Sequence, residues 1–254
     1  MQKMIGFKVE RKLTTENLQV TPKKFCKMLL KDFRHELMTE LRQFDISSEQ
    51  LGAMSARHKQ AILKDEHKRR LIGNEKRAHN KLKTIVSGLS EQRDITHEIR
   101  VINYPEGSGM GAARITELFF DEEWWKNEFN SSESVFLFIM GHELTHIKFE
   151  DIAQDAALQE LQSEIESKRA AHNFCEFKLR LNRLSELQAD VDSAMHSKRA
   201  LKGYALWTSQ DIVECGDTGG AGYPRMSQRL HLAHLLRQLH DSYEPKIRKK
   251  RRIE

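Results

Sequence analysis

His142, Glu143 and His146 stand in the order HELTH, the HExxH pattern, inside the stretch SESVFLFIMGHELTHIKF. Two histidines at i and i+4 project from one face of a helix about one turn apart. Both imidazoles can then reach a single tetrahedral Zn²⁺, with Glu143 beside them to face water on the metal. The stretch reads as a helix: Asn130 with Glu133 three residues later forms a capping pattern, and apolar residues run nearly all the way round. Such a helix is buried, and buried imidazoles require partners. The competing reading, two exposed histidines on a surface helix, fits that apolar circumference poorly.

A catalytic zinc takes a third protein ligand from another element and leaves its fourth position to water. Glu150 cannot supply it, because two turns of the same helix put it about 12 Å along the axis from His142. The candidates are Glu166 in EIESKRA and Glu186 in LSELQADVDSA, both expected on downstream helices. Glu186 is favoured. Asp190 follows it at i+4, so one helix can present a ligand carboxylate and a second carboxylate that holds a ligand histidine's other ring nitrogen. Glu166 has Ala170 at that place.

Taken in order, HELTH (142–146), ELQAD (186–190) and YPRMSQRL (223–230) resemble the gluzincin metallopeptidases of the M48 type, the family of the HtpX proteases. There an HExxH helix is followed by an ExxxD helix and then by an HPxxxxR segment. The resemblance covers about residues 97–240. It implies His142, His146 and Glu186 as zinc ligands, Glu143 as general base and Asp190 as the carboxylate behind a ligand. Arg229 falls on the family's arginine and is expected to pair with Asp190 or with substrate backbone. Tyr223 stands where the family carries a histidine, the family's membrane helices are absent, and the first eighty or so residues have no counterpart. The family also implies an edge strand above the zinc on which an extended substrate adds; AARITELF is the candidate, with an internal strand as the alternative. The Lit-type phage-exclusion peptidases are similar by motif only.

The implied activity is that of a zinc-dependent metalloendopeptidase on a protein or peptide substrate. The tetrahedral intermediate of such a reaction needs a donor for its oxyanion beyond the metal. A phenol can serve, and Tyr223 is the candidate, with His231 or Arg229 next.

Several elements must position these residues. Thr21-Pro22 opens a helix expected over 22–43, carrying Phe25, Met28, Leu29, Phe33, Leu37 and Leu41 at helical spacing. Ser47 or Ser48 caps a further helical stretch reaching about residue 90. HEIRVINY and AARITELFF, separated by the loop PEGSGMG, read as a hairpin over 97–120, with Gly107, Gly109 and Gly111 making the turn or keeping the loop close to substrate. One or two long helices are expected over 151–203, a loop over 217–224, and an amphipathic helix with Leu230, Leu235, Leu236 and Leu239 on one side. The fold class is α+β with a helical majority. It comprises an N-terminal helical region (1–90), a zincin-like domain (91–245) with a small hairpin or sheet beside the HExxH helix and a second ligand helix, and a basic tail (246–254).

Composition narrows the function further. The 254 residues carry 42 Lys+Arg against 37 Asp+Glu, a net charge of +5, and the final KIRKKRRIE alone holds six basic residues. That tail reads as solvated. The segment 64–83 is charged but alternates in sign and lacks aromatic residues for stacking, which disfavours a nucleic-acid partner. Cys26, Cys175 and Cys215 are odd in number with no CxxC pair, which speaks against a disulfide framework or a cysteine-zinc site and for a reducing, cytoplasmic setting. The longest uncharged apolar run, Val135 to Met140, is too short for a membrane span, so no membrane insertion is expected. An inactive zinc-binding pseudo-peptidase is the nearest alternative, and the intact Glu143 counts against it.

Overall fold

The computed structural model describes residues 22–72, 80–104, 112–220 and 222–250. Within them the fold is α+β and mostly helical. Helix α1 (Pro22–Thr39) passes into a short 3-10 helix, Glu40–Phe44, which Asp45 ends in the left-handed region at φ 57°. Helix α2 (Ser48–Ile72) follows, with the Ser47 hydroxyl accepting the Gln50 N–H at 3.0 Å, and then α3 (Asn80–Glu91). Residues 1–21 and 73–79 lie outside the described residues.

The region expected to be a hairpin is arranged differently. Strands β1 (Arg100–Tyr104), β2 (Ala112–Ala113) and β3 (Glu117–Asp121) form one sheet in the order β1-β3-β2. β3 runs parallel to β1, with Leu118 beside Val101, and antiparallel to β2, with Phe119 beside Ala112. The second run thus folds back on itself, closed by Arg114 N–H to Glu117 C=O at 2.8 Å, and its latter half lies between the other two strands. Burial explains the choice. Leu118 and Phe120 enter the core while Glu117, on the opposite face, is also buried and held by Arg69 and Arg100. A strand covered on both faces suits the centre of a sheet, whereas hairpin strands commonly leave one face to water. The loop carrying Gly107, Gly109 and Gly111 lies outside the described residues.

Helix α4 (Glu122–Ser131), which sequence patterning did not reveal, starts where the Asp121 carboxylate accepts the N–H groups of Glu123 and Trp124 at 2.9 and 3.1 Å. The HELTH segment lies in α5 (Glu133–Phe149), capped by Ser132 rather than Asn130. The expected one or two helices over 151–203 are three: α6 (Asp151–Ser163), α7 (Lys168–Ala194) and α8 (Lys198–Cys215). Ser167 and Ser197 each accept the N–H three residues on, so the chain restarts at a serine cap twice. After the 216–225 loop, α9 (Met226–Lys250) closes the described fold; it extends into the expected tail, whose residues 251–254 lie outside it.

Helix α5 is central, which is why its apolar residues encircle it. One side places Phe138 and Ile139 against Phe174, Phe177 and Leu181 of α7 and Tyr204 of α8; Leu37 of α1 and Leu51 of α2 complete that cluster. The other side places Phe136, Met140, Leu144 and Ile147 against Val101, Leu118 and Phe120 of the sheet and against Leu82 and Val86 of α3. Helices from both sides of residue 90 therefore share one framework around α5. Where α8 crosses α5, a Cβ on Gly203 would lie 1.9 Å from the Ser134 carbonyl oxygen, so only glycine permits that approach. Truncating Phe138 to alanine would cost about 3–5 kcal/mol. No helix among the described residues is long and apolar enough to cross a membrane.

Candidate metal centre

The i, i+4 spacing on α5 brings Nε2 of His142 and Nε2 of His146 to 3.0 Å from each other. Helix α7 packs against α5 and delivers Glu186 to the same place. Its Oε2 lies 3.4 Å from His142 Nε2 and its Oε1 lies 3.5 Å from His146 Nε2. Among the described residues, these three side chains form a group whose ligand atoms all lie within 4.8 Å of one another.

Each histidine is held by a carboxylate at its other nitrogen. His142 Nδ1 is 2.9 Å from Asp190 Oδ1, and His146 Nδ1 is 2.8 Å from Asp151 Oδ2. A carboxylate at Nδ1 favours the tautomer with the proton on that atom, leaving the Nε2 lone pair for a cation. Asp190 is the residue that the ELQAD spacing pointed to. Asp151 went unforeseen, because its position depends on the turn at Glu150, where φ is 56° and one helix ends as the next begins. The only sequence signal was an acidic residue just past the HExxH helix.

The donor set fits zinc. Ligand atoms on a tetrahedral ion with bonds of about 2.0–2.1 Å lie about 3.3 Å apart; the two Nε2 atoms are 3.0 Å apart, and each faces one of the two Glu186 oxygens, at 3.4 and 3.5 Å. Two imidazole lone pairs facing each other beside a carboxylate repel unless a cation or proton stands between them. Electrostatics carry the same message. Burial works against a charged His142, but Asp190 and Glu186 outweigh it and push its pKa up to about 10. Burial would raise Glu186, yet His142, with His146 and Arg229, holds it down at about 2. The pocket is built to retain positive charge.

Arg229 completes the anionic side of the group. It is 5% exposed, donates from Nη2 to Glu186 Oε2 at 2.7 Å, and has Nε 3.4 Å from Asp190 Oδ2. Its guanidinium lies over the Trp207 ring at 5.3 Å. Burial would lower its pKa, but Asp190 and Glu186 more than compensate and it is raised. Asp190 is fully buried and also accepts the Tyr204 hydroxyl at 3.1 Å. Arg229 is therefore engaged with Glu186 and Asp190 rather than turned toward a substrate backbone.

Two cavities meet at this group, and His142, Glu143, Glu186 and Tyr223 border both. The smaller, about 400 Å³, is lined by polar residues including Asp155, Asn182 and Ser185, with Ala113 of β2 at its edge. The larger, about 800 Å³, has Phe138, Trp207, Pro224 and Met226 in its walls. Of AARITELF, only the two residues of β2 thus form an outer strand at the site; the TELF half is internal. Tyr223 is 61% exposed at the mouth, fixed by paired backbone hydrogen bonds with Gly220 at 2.7 and 3.1 Å. Gly219, at φ +115°, allows the loop to fold back there, since a Cβ would meet the Pro224 carbonyl oxygen at 2.5 Å. Partial desolvation, then the Glu186 and Glu143 carboxylates, raise the Tyr223 phenol above its ordinary pKa.

The other candidates lie elsewhere. Glu166, expected on a helix, is exposed in the connection between α6 and α7, and Glu150 pairs with Lys59 at 2.5 Å. His231 is exposed on α9. In the charged 64–83 segment, Glu66 is buried and accepts the Ile115 N–H at 3.1 Å and the Thr116 hydroxyl at 2.6 Å, while Arg69 and Arg70 reach Glu117 and Thr116 at 2.7 and 3.2 Å. These charges secure the β2–β3 turn. No protein-family model, curated protein or solved structure matches this chain.

Proposed function

We propose that the chain is a zinc-dependent metalloendopeptidase of gluzincin type that cleaves protein or peptide substrates in the cytoplasm. The observation that carries this reading is the convergence of His142, His146 and Glu186, with each histidine backed by a carboxylate and Glu143 at the junction of two cavities. His142, His146 and Glu186 would hold the ion. Zinc there would act as a Lewis acid, polarising the scissile carbonyl and acidifying water.

The chain's own groups carry the rest. Glu143 accepts a proton from the attacking water and passes it to the leaving amine nitrogen. Tyr223, at the mouth of both cavities, donates its hydroxyl to the carbonyl oxygen as charge develops there. Asp190 and Asp151 fix the two imidazoles in the tautomer that ligation requires. Arg229 balances the buried charge of Glu186 and Asp190. The free thiols of Cys175 and Cys215 suit a reducing compartment. The internal use of Arg69, Arg70 and Glu66 weighs against a nucleic-acid role for the 64–83 segment.

Glu143→Gln tests the assignment. The variant should keep its zinc and lose peptide hydrolysis by several orders of magnitude, because ligand and base are separate residues. Undiminished cleavage would rule out Glu143 as the base.

A further inference from the structure

We infer that the larger cavity is a specificity pocket for a lysine or arginine side chain of the substrate, with Asp211 as the group that receives its cation. This rests on the peptidase reading and names the substrate class of the same site. The cavity, about 800 Å³, opens from His142, Glu143 and Glu186 and is walled by Phe138, Trp207 and Met226, with Asp211 also in its lining. That volume is in the range of pockets that enclose a whole ligand group.

Asp211 follows Trp207 on α8 by one turn, about 6 Å along the helix axis. Among the described residues its hydrogen-bond partner is a hydroxyl, that of Thr218 at 3.2 Å, and not a cation. The other charges lining the cavity are differently placed. Glu186 is matched by His142, His146 and Arg229, and Arg229 is matched by Glu186 and Asp190. Glu143 stands at the reacting end. Among the described residues Asp211 is thus a half-buried carboxylate whose hydrogen-bond partner is not a cation, set in a largely apolar wall.

A side chain with an aliphatic stem and a terminal cation matches this sequence of surfaces. The stem packs on Trp207 and Met226, and the ammonium or guanidinium reaches Asp211. A wholly apolar side chain would desolvate the carboxylate without compensation, and an acidic one would be repelled.

The test uses two hydroxamates that differ only in the side chain next to the zinc-binding group, 4-aminobutyl or n-butyl. Their binding to the zinc-loaded full chain is measured by calorimetry. The aminobutyl compound should bind at least about tenfold tighter, and Asp211→Asn should abolish the difference, with the butyl compound binding at least as tightly as it binds the parent. Asp211→Lys should reverse the order. Equal binding to the parent, tighter binding of the butyl compound, or a preference that survives Asp211→Asn would overturn the assignment. So would failure of both compounds to bind. Zinc stoichiometry on the same sample then separates the two readings: one ion per chain with no preference removes the pocket alone, and no zinc removes the metal centre as well.

Discussion

Oδ1 of Asp190 lies 2.9 Å from Nδ1 of His142, while Glu186, one turn earlier on the same helix, faces that ring's other nitrogen at 3.4 Å. Helix α7 therefore places one carboxylate beside each nitrogen of one imidazole on α5. Asp190→Asn can present an oxygen to His142 only by turning its amide nitrogen toward Arg229, donor against donor. The variant should bind zinc about 10–100-fold more weakly while staying folded. Competition against a chelator of known affinity measures this, and an unchanged affinity would show that the contact does not orient the ligand.

Glu186 and Glu166 give a paired test. Glu186→Ala removes a proposed ligand and should yield protein purified with little zinc. Glu166→Ala changes an exposed connection and should keep its zinc and its stability within about 0.5 kcal/mol. Metal analysis of the two purified variants decides it, and the reverse order would move the third ligand to Glu166.

Tyr223→Phe deletes a hydroxyl at the cleft mouth and keeps the ring. If that hydroxyl acts only in the transition state, kcat should fall about 10²–10³-fold, with KM, zinc content and thermal midpoint unchanged. A variant that cleaves at the parental rate would assign Tyr223 to loop packing alone.

The metal-free protein should have a two-sided pH profile. His142, raised from 6.5 to about 10, contributes stability that is fully present below pH 6.5 and is lost as the pH climbs toward 10. Glu186, lowered from 4.5 to about 2, contributes stability that is present above pH 4.5 and is lost on acidification toward pH 2. With chelator, the thermal midpoint should therefore be highest between about pH 4.5 and 6.5. Zinc should remove the alkaline decline, because the ion replaces the proton on His142. A midpoint flat from pH 6.5 to 10 in chelator would contradict the His142–Asp190–Glu186 coupling.

The parts of this arrangement legible in the sequence are those fixed by helical spacing. His142 and His146 share a face because four residues separate them, and so do Glu186 and Asp190. Of the Arg229 contacts, the one with Asp190 was one of two expectations at that position, whereas the hydrogen bond to Glu186, 43 residues away, was not foreseen. Asp151 was hidden because a left-handed turn at Glu150, not a spacing rule, aims it at His146. The hairpin expectation failed for a related reason. Alternation identifies strands but not neighbours, and β3 takes the centre of the sheet because helices α2 and α5 bury both its faces. The breaks at Ser167 and Ser197 were masked by charged and apolar residues that continue the helical pattern through both caps. Trp207 and Asp211 border the site only through the crossing of α8 over α5, which Gly203 permits.

The central claim is that one ion is held by two imidazoles and one carboxylate, and X-ray absorption at the zinc edge of the zinc-loaded protein tests it most directly. The account predicts one zinc per chain, with two imidazole nitrogens at about 2.0–2.1 Å and oxygen at about 2.0–2.2 Å. Less than one bound ion per chain, or sulfur scattering at about 2.3 Å from a cysteine ligand, would contradict it.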